Sequence, residues 1–211
     1  MGKHMDNKYI RFFKELQAGG NLAEDESELH SRILLVDGLN TFIRAFTSSP
    51  VTNNDGEHVG GISGFLLSVG HAIKLIDPTR VVIVFDGKDG SKARRAIYPE
   101  YKAHRKVKIR LNRSVFVDKE DNQLAQLVRL IEYLEVLPVT VVILDGAEAD
   151  DVIAYFAKQF RDALESQVYI MSSDKDFMQL VDQRTHIWSP TKKKMYFAPD
   201  VFEEYKIAAV N

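Results

Sequence analysis

"RILLVDG", residues 32–38, is an apolar run that closes with an acid and a glycine, and the chain returns to this pattern three more times. "RVVIVFDG" (80–87), "LPVTVVILDG" (137–146) and "QVYIMSSD" (167–174) are also short, rich in β-branched residues and ended by an aspartate. Runs that are apolar throughout fit strands of a parallel sheet, which is covered on both faces. The intervals carry helical periodicity: "GISGFLLSVGHAIKLI" (61–76), "NQLAQLVRLIEYLEVL" (122–137) and "EADDVIAYFAKQFRDAL" (148–164). Strands alternating with amphipathic helices predict an α/β domain with a central, mainly parallel twisted sheet and helices on both faces. "THIWSPTKKKMYFAP" (185–199) predicts a hairpin turned at Pro190–Thr191, and "DVFEEYKIAAVN" (200–211) the start of a helix. Residues 1–31 read as an N-terminal extension, with a helical turn or two in "IRFFKELQ" and a flexible acidic linker in "AGGNLAEDESE".

With 211 residues, 45% hydrophobic and 27% charged, the chain has the composition of a soluble globular protein with one substantial core. No apolar run approaches the ~20 residues of a membrane span, and no signal-peptide core is visible at the N-terminus. There is no cysteine, which excludes disulfides, thiolate nucleophiles and zinc–thiolate sites. A cytoplasmic location and no membrane partner are the expectations.

The net charge of −2 conceals an asymmetry. Between positions 92 and 113, nine cations (Lys92, Arg94, Arg95, Lys102, Arg105, Lys106, Lys108, Arg110 and Arg113) face one acid, Glu100. The window carries +8 and the rest of the chain −10. A solvated basic face would explain a shorter run. At this density like charges repel unless a polyanion shares the site. Tyr98 and Tyr101 interleave with the cations, as on surfaces that pair with phosphates and stack bases.

Acids gather where the predicted strands end, the edge at which open parallel sheets bind ligands. Singly, each has a structural explanation: Asp-Gly marks a turn, and Asp150 and Asp151 suit a helix N-terminus. Jointly, Asp37, Asp86, Glu148, Asp150, Asp151, Asp174 and Asp176 would converge on one edge, where only a cation offsets their repulsion. Oxygen ligands without cysteine or a helical HExxH point to Mg²⁺ or Mn²⁺, and seven donors to two ions. Glu148 and Asp151, three apart, share a helical face. Asp145 is left out, since a turn explains it fully. No Ser/His/Asp arrangement, histidine ligand spacing or phosphate-binding glycine loop is present.

"LLVDGLNTFIRAF" (34–46), "VVIVFDGKDGSKARRAIYPEYKAHR" (81–105), "AEADDVIA" (147–154) and "MSSDKDFMQLV" (171–181) resemble, in order and spacing, the acidic motifs of the flap endonuclease family of structure-specific 5′-nucleases. The run through "IWSPTKKKMY" is most similar to the T-even bacteriophage ribonuclease H branch. The resemblance implies a PIN-like three-layer domain over 32–205, with a basic helical arch at 92–121. It implies metal ligation by Asp37, Asp86, Glu148 and Asp150 around one Mg²⁺ or Mn²⁺ ion. Asp174 and Asp176, with Asp150 or Asp151, would serve adjoining positions. Lys92 and Arg94 match cations that contact the scissile phosphate, and Tyr98 an aromatic that stacks on a terminal base. The implied activity is two-metal hydrolysis at 5′ ends or flaps of DNA and RNA–DNA duplexes, as in primer removal, with single-stranded-DNA-binding or other replication proteins as partners. In the family a helix–three-turn–helix follows the fourth motif; residues 206–211 read as its approach, so weak activity and partial second-metal binding are expected of this chain. A PIN-domain ribonuclease and a non-catalytic nucleic-acid-binding module are the alternatives. The basic insertion disfavours the first and the intact acids the second.

Overall fold

The computed structural model describes residues 30–98, 100 and 119–206. Six strands form one sheet: β1 (Arg32–Asp37), β2 (Arg80–Asp86), β3 (Thr140–Leu144), β4 (Gln167–Met171), β5 (Thr185–Ser189) and β6 (Lys194–Tyr196). Their order is β3-β2-β1-β4-β5-β6. The first five are parallel, and only the β5–β6 hairpin is antiparallel. Its turn carries Lys193 at φ 49, in the left-handed region.

Side chains alternate across a strand, and the central strands are apolar in both registers because both faces are covered. Leu34, Val36, Ile83, Phe85, Met171 and Trp188 pack under α1 (Gly38–Ser48), α2 (Gly60–Ile76) and α4 (Lys119–Glu135). Ile33, Leu35, Val82, Val84, Val168 and Ile170 pack against α5 (Ala149–Ala163) and, beyond it, the 3₁₀ turn Lys175–Leu180 and α6 (Ala198–Tyr205). This is the expected three-layer arrangement. Short helix α3 (Lys92–Ile97) opens the basic window.

β1 and its neighbour β4 form the switch point of the sheet. Chain order runs outward from β1 through β2 to β3, then crosses by α5 to β4 on the other side. Such reversals leave a crevice at the carboxyl ends of the strands. Asp37 is the last residue of β1, and Ser172–Asp174 follow β4.

Two local features depart from the sequence expectation. Helix α1 was not among the expected helices, although Phe42, Ala45 and Phe46 recur at helical spacing; Asp37 starts it by accepting the Asn40 N–H. β3 lies at an edge, with Ile143 and Leu144 about half exposed rather than buried. A buried polar network ties α4 to the start of α2. Gln126 Oε1 accepts from Gly61 N (2.9 Å) and Ile62 N (3.2 Å), and its Nε2 donates to the His58 carbonyl (2.6 Å).

Candidate metal centre and nucleic-acid interface

The strand-end acids do cap backbone, each through its Oδ1 alone; the second oxygen of Asp37 accepts from Ser172. Asp37 Oδ1 accepts from Asn40 N at 3.2 Å. Asp86 Oδ1 reaches across to Ala149 N, the first residue of α5, at 2.9 Å. Asp174 Oδ1 accepts from Asp176 N at 3.0 Å. Turn-and-cap chemistry and ligand chemistry are therefore compatible on the same side chains.

Asp37 is the electrostatic centre of the crevice. It is 5% exposed. Its carboxyl is raised to about 6, chiefly by burial and in smaller part by the charges of Asp150 and Asp86, against hydrogen bonds from Ser172 and Asn40. Those two carboxylates thus act on Asp37 from β2 and α5. A cation is the natural complement of such a group.

Glu148 and Asp151 meet at Arg94. Glu148 is 3% exposed and sits at the N-cap position of α5 without capping it, because Asp86 does so. Its Oε2 accepts from Arg94 Nη1, while Arg94 Nη2 donates to Asp151 Oδ1. The shared helical face expected of Glu148 and Asp151 is realised on one guanidinium.

Among the described residues no three His, Asp or Glu side chains are drawn together as a ready-made metal cage. The expectation that all seven acids converge is met only in part. Asp37, Asp86 and Asp150 interact by charge, Glu148 and Asp151 are held by Arg94, and Asp174 joins Asp37 through Ser172. Asp176 is exposed and joins Asp174 only by its N–H. Arg94 thus offsets the repulsion of Glu148 and Asp151 and Ser172 bridges Asp37 and Asp174, while Asp86 and Asp150 still act by charge on Asp37.

Residues 32–206 match the family model of the 5′-3′ exonuclease, N-terminal resolvase-like domain. The chain belongs to this family. The 5′-3′ exonuclease of Aquifex aeolicus (strain VF5) is 29% identical over 176 residues, covering 83% of this chain and 56% of that protein. The thermostable DNA polymerase I of Thermus aquaticus is 34% identical over 164 residues, 77% of this chain and 18% of the polymerase. A structure of the T5 5′-exonuclease with divalent metal ions (zinc) bound superposes with TM-score 0.66 at 20% identity, covering 84% of this chain and 62% of that one. The last is a likeness of fold. The chain spans less than two thirds of each of these proteins.

In this exonuclease-family domain the residues expected at a nucleic-acid interface divide sharply. Lys92 and Arg95 are exposed on α3. Lys92 lines a cavity of about 530 Å³ with Lys88, Asp89 and Asp145, and among the described residues makes no ion pair with the acids. Tyr98 is exposed, its hydroxyl donating to Glu100 at 3.1 Å. Lys102, Arg105, Lys106, Lys108, Arg110 and Arg113, and most of the proposed arch, lie outside the described residues. Asp145, left out of the site as a turn residue, accepts from Lys88 N at 2.9 Å and so ties its loop to the one after β2. No helix among the described residues is long and apolar enough to cross a membrane.

Sequence reasoning passed over Ser172. Its hydroxyl donates to Asp37 Oδ2 at 2.9 Å and accepts from Asp174 N at 3.0 Å. The one sequence signal was a serine at the end of a strand run, two residues before a motif aspartate; its burial shows only in the fold. Asn40 was missed too; its Oδ1 accepts from Ser173 N at 3.4 Å, a second tie between the first and fourth motifs.

Proposed function

We propose that this chain is a metal-dependent 5′-nuclease domain that hydrolyses phosphodiester bonds at 5′ ends or flaps of DNA and of RNA–DNA duplexes. The observation that carries this reading is the carboxylate set around Asp37 at the switch point, bordered by Arg94 at the root of a +8 segment. The donors fit a hard divalent cation. They are all carboxylates, and Asp37 holds its proton up to about pH 6 because burial and neighbouring charge disfavour its ionised form. Asp37, Asp86, Glu148 and Asp150 would hold one Mg²⁺ or Mn²⁺ ion, and Asp151, Asp174 and Asp176 the adjoining positions. Ions so held supply water activation and stabilisation of a leaving oxygen.

The chain's own residues do the rest. Arg94, released from Glu148, and Lys92 neutralise the charge on the scissile phosphate. Tyr98 is exposed and oriented by Glu100, free to stack on a terminal base. Arg95, Lys102, Arg105, Lys106, Lys108, Arg110 and Arg113 hold the strand by its phosphates. Replication proteins in the cytoplasm, single-stranded-DNA-binding protein among them, are the proposed setting.

The test is cleavage of a 5′-labelled flap duplex and an RNA–DNA hybrid with Mg²⁺ or Mn²⁺. Asp86→Asn and Asp174→Asn should each abolish it. Undiminished cleavage in excess EDTA, or in the doubly substituted chain, overturns the reading.

A further inference from the structure

Between α1 and α2 lies a cavity of about 160 Å³ lined by Thr41, Arg44, Ser48, Ser49, Ser68 and Pro190. It presents a guanidinium and four hydroxyls, and no carboxylate. Thr41 is 3% exposed, and its Oγ1 is buried with no hydrogen-bond partner among the described residues. A buried hydroxyl in that state is costly and rare. A helical threonine or serine ordinarily returns its hydroxyl to a carbonyl one turn back. Thr47 and Ser48 do so, both to the Arg44 carbonyl, at 3.1 and 2.7 Å. Thr41 does not, and instead lines the cavity.

Arg44 is the second anomaly. It is half-buried, yet takes no part in the ion pairs among the described residues. A guanidinium fork on a wall that also carries hydroxyl-bearing residues matches the oxygens of a tetrahedral oxyanion. The volume admits one phosphate group; drug-sized ligands need roughly 300 Å³ or more. At ~1.5 Å per helical residue, Thr41 and Arg44 lie about 6 and 10 Å along α1 from Asp37. With ~3.4 Å per nucleotide of duplex, that places the cavity about two to three nucleotides from the carboxylates.

We propose that this cavity is an oxyanion site for a single phosphate group, separate from the carboxylate crevice. The group is either a backbone phosphodiester of bound nucleic acid or free inorganic phosphate. Only the first source rests on the nuclease reading. In that case the site fixes the register of the strand relative to Asp37.

Two measurements on the full chain test it. Titration with inorganic phosphate, followed by NMR, should shift the Thr41, Arg44, Ser49 and Ser68 resonances, and Arg44→Gln should remove the response. Thr41→Val should weaken it while leaving the melting temperature unchanged or raised, since an unpartnered hydroxyl is deleted. In parallel, 5′-flap DNA affinity is measured against salt without divalent metal. If the source is nucleic acid, Arg44→Gln lowers affinity roughly tenfold and reduces the log–log slope by about 0.7–0.9. Phosphate shifts with an unchanged slope assign the site to free phosphate. Phosphate shifts in a chain that neither binds nor cuts DNA sustain the site and refute the nuclease reading. Absence of phosphate shifts in the unsubstituted chain, with an unchanged DNA slope in Arg44→Gln, overturns the site.

Discussion

Ser172 Oγ donates to Asp37 Oδ2 at 2.9 Å, where β4 and β1 end side by side. The same oxygen accepts from Asp174 N at 3.0 Å, so one hydroxyl holds the first and fourth acidic motifs in register. Ser172→Ala leaves a buried carboxylate short of a donor and is expected to cost about 1–3 kcal/mol of stability. Loss of a bond that favours the ionised form also raises Asp37 further. Mn²⁺ affinity should fall about 10- to 100-fold, the usual effect of removing an orienting group behind a ligand. Ser172→Thr should restore most of it. Calorimetric titration decides: wild-type affinity in the alanine variant would remove Ser172 from the centre.

Asp37 makes its own contribution to the pH dependence of the metal-free protein. Its folded value of about 6 lies above the ordinary 3.8, mainly because burial disfavours the charge. Below pH 4 the group is protonated folded and unfolded, and its contribution to stability is fully present. As pH rises from about 4 to about 6 the unfolded chain ionises first, so stability is lost; above that the loss is complete. Its size is on the order of 2–3 kcal/mol. Asp37→Asn should abolish this slope and melt higher than wild type at pH 8 in EDTA, while gaining nothing from Mn²⁺. Parallel melting curves of the two proteins in EDTA would contradict the assignment.

Arg94 holds Glu148, a ligand candidate that is 3% exposed. A guanidinium and a divalent cation then compete for one carboxylate. Arg94→Gln should destabilise the metal-free protein by about 1–3 kcal/mol, because the buried Glu148 carboxylate loses a charged donor. Added Mn²⁺ should raise the variant's melting temperature by more than it raises wild type's. Cleavage should nevertheless fall by 100-fold or more, since a cation facing the scissile phosphate is gone. Equal Mn²⁺-induced shifts in both proteins would show that Arg94 and the metal do not compete.

The layers of the fold were legible because the strand runs are apolar in both registers and the helices are one-sided. Asp37, Asp86 and Asp174 were legible as strand-end acids for the same reason. What sequence could not supply was the third dimension of each bond. Nothing local says that Asp86 caps α5 from another strand, freeing Glu148 for Arg94. Ser172 looks like any serine before a turn until β4 is set beside β1. β3 reads as a buried strand because its residues are apolar, yet its place at the sheet edge is decided by chain order. Thr41 and Arg44 fall in an unremarked stretch of α1, and only its packing on α2 makes them face a common space.

Gly87 follows Asp86 in the loop that leads to Arg94, and its position permits no side chain. A Cβ there would stand 2.1 Å from the Leu144 carbonyl oxygen and 2.6 Å from Asp145 N, both backbone atoms. The two loops are also joined by Lys88 N to Asp145 Oδ1 (2.9 Å) and Gly146 N to the Lys88 carbonyl (2.8 Å). Gly87→Ala must therefore push the β2–α3 loop away from the loop that ends in Glu148. Overpacking of this kind costs about 1–3 kcal/mol. Cleavage of a flap substrate, assayed well below the melting temperature, should fall more than stability does, because Arg94 and Glu148 sit on the separated loops. Gly146 is the control. It needs its left-handed φ of +79, but nothing lies within 4 Å of its would-be Cβ. Gly146→Ala should cost about 1–2 kcal/mol of backbone strain and change cleavage far less. Equal cleavage losses in the two variants would mean that loop separation, as opposed to general destabilisation, does not control the centre.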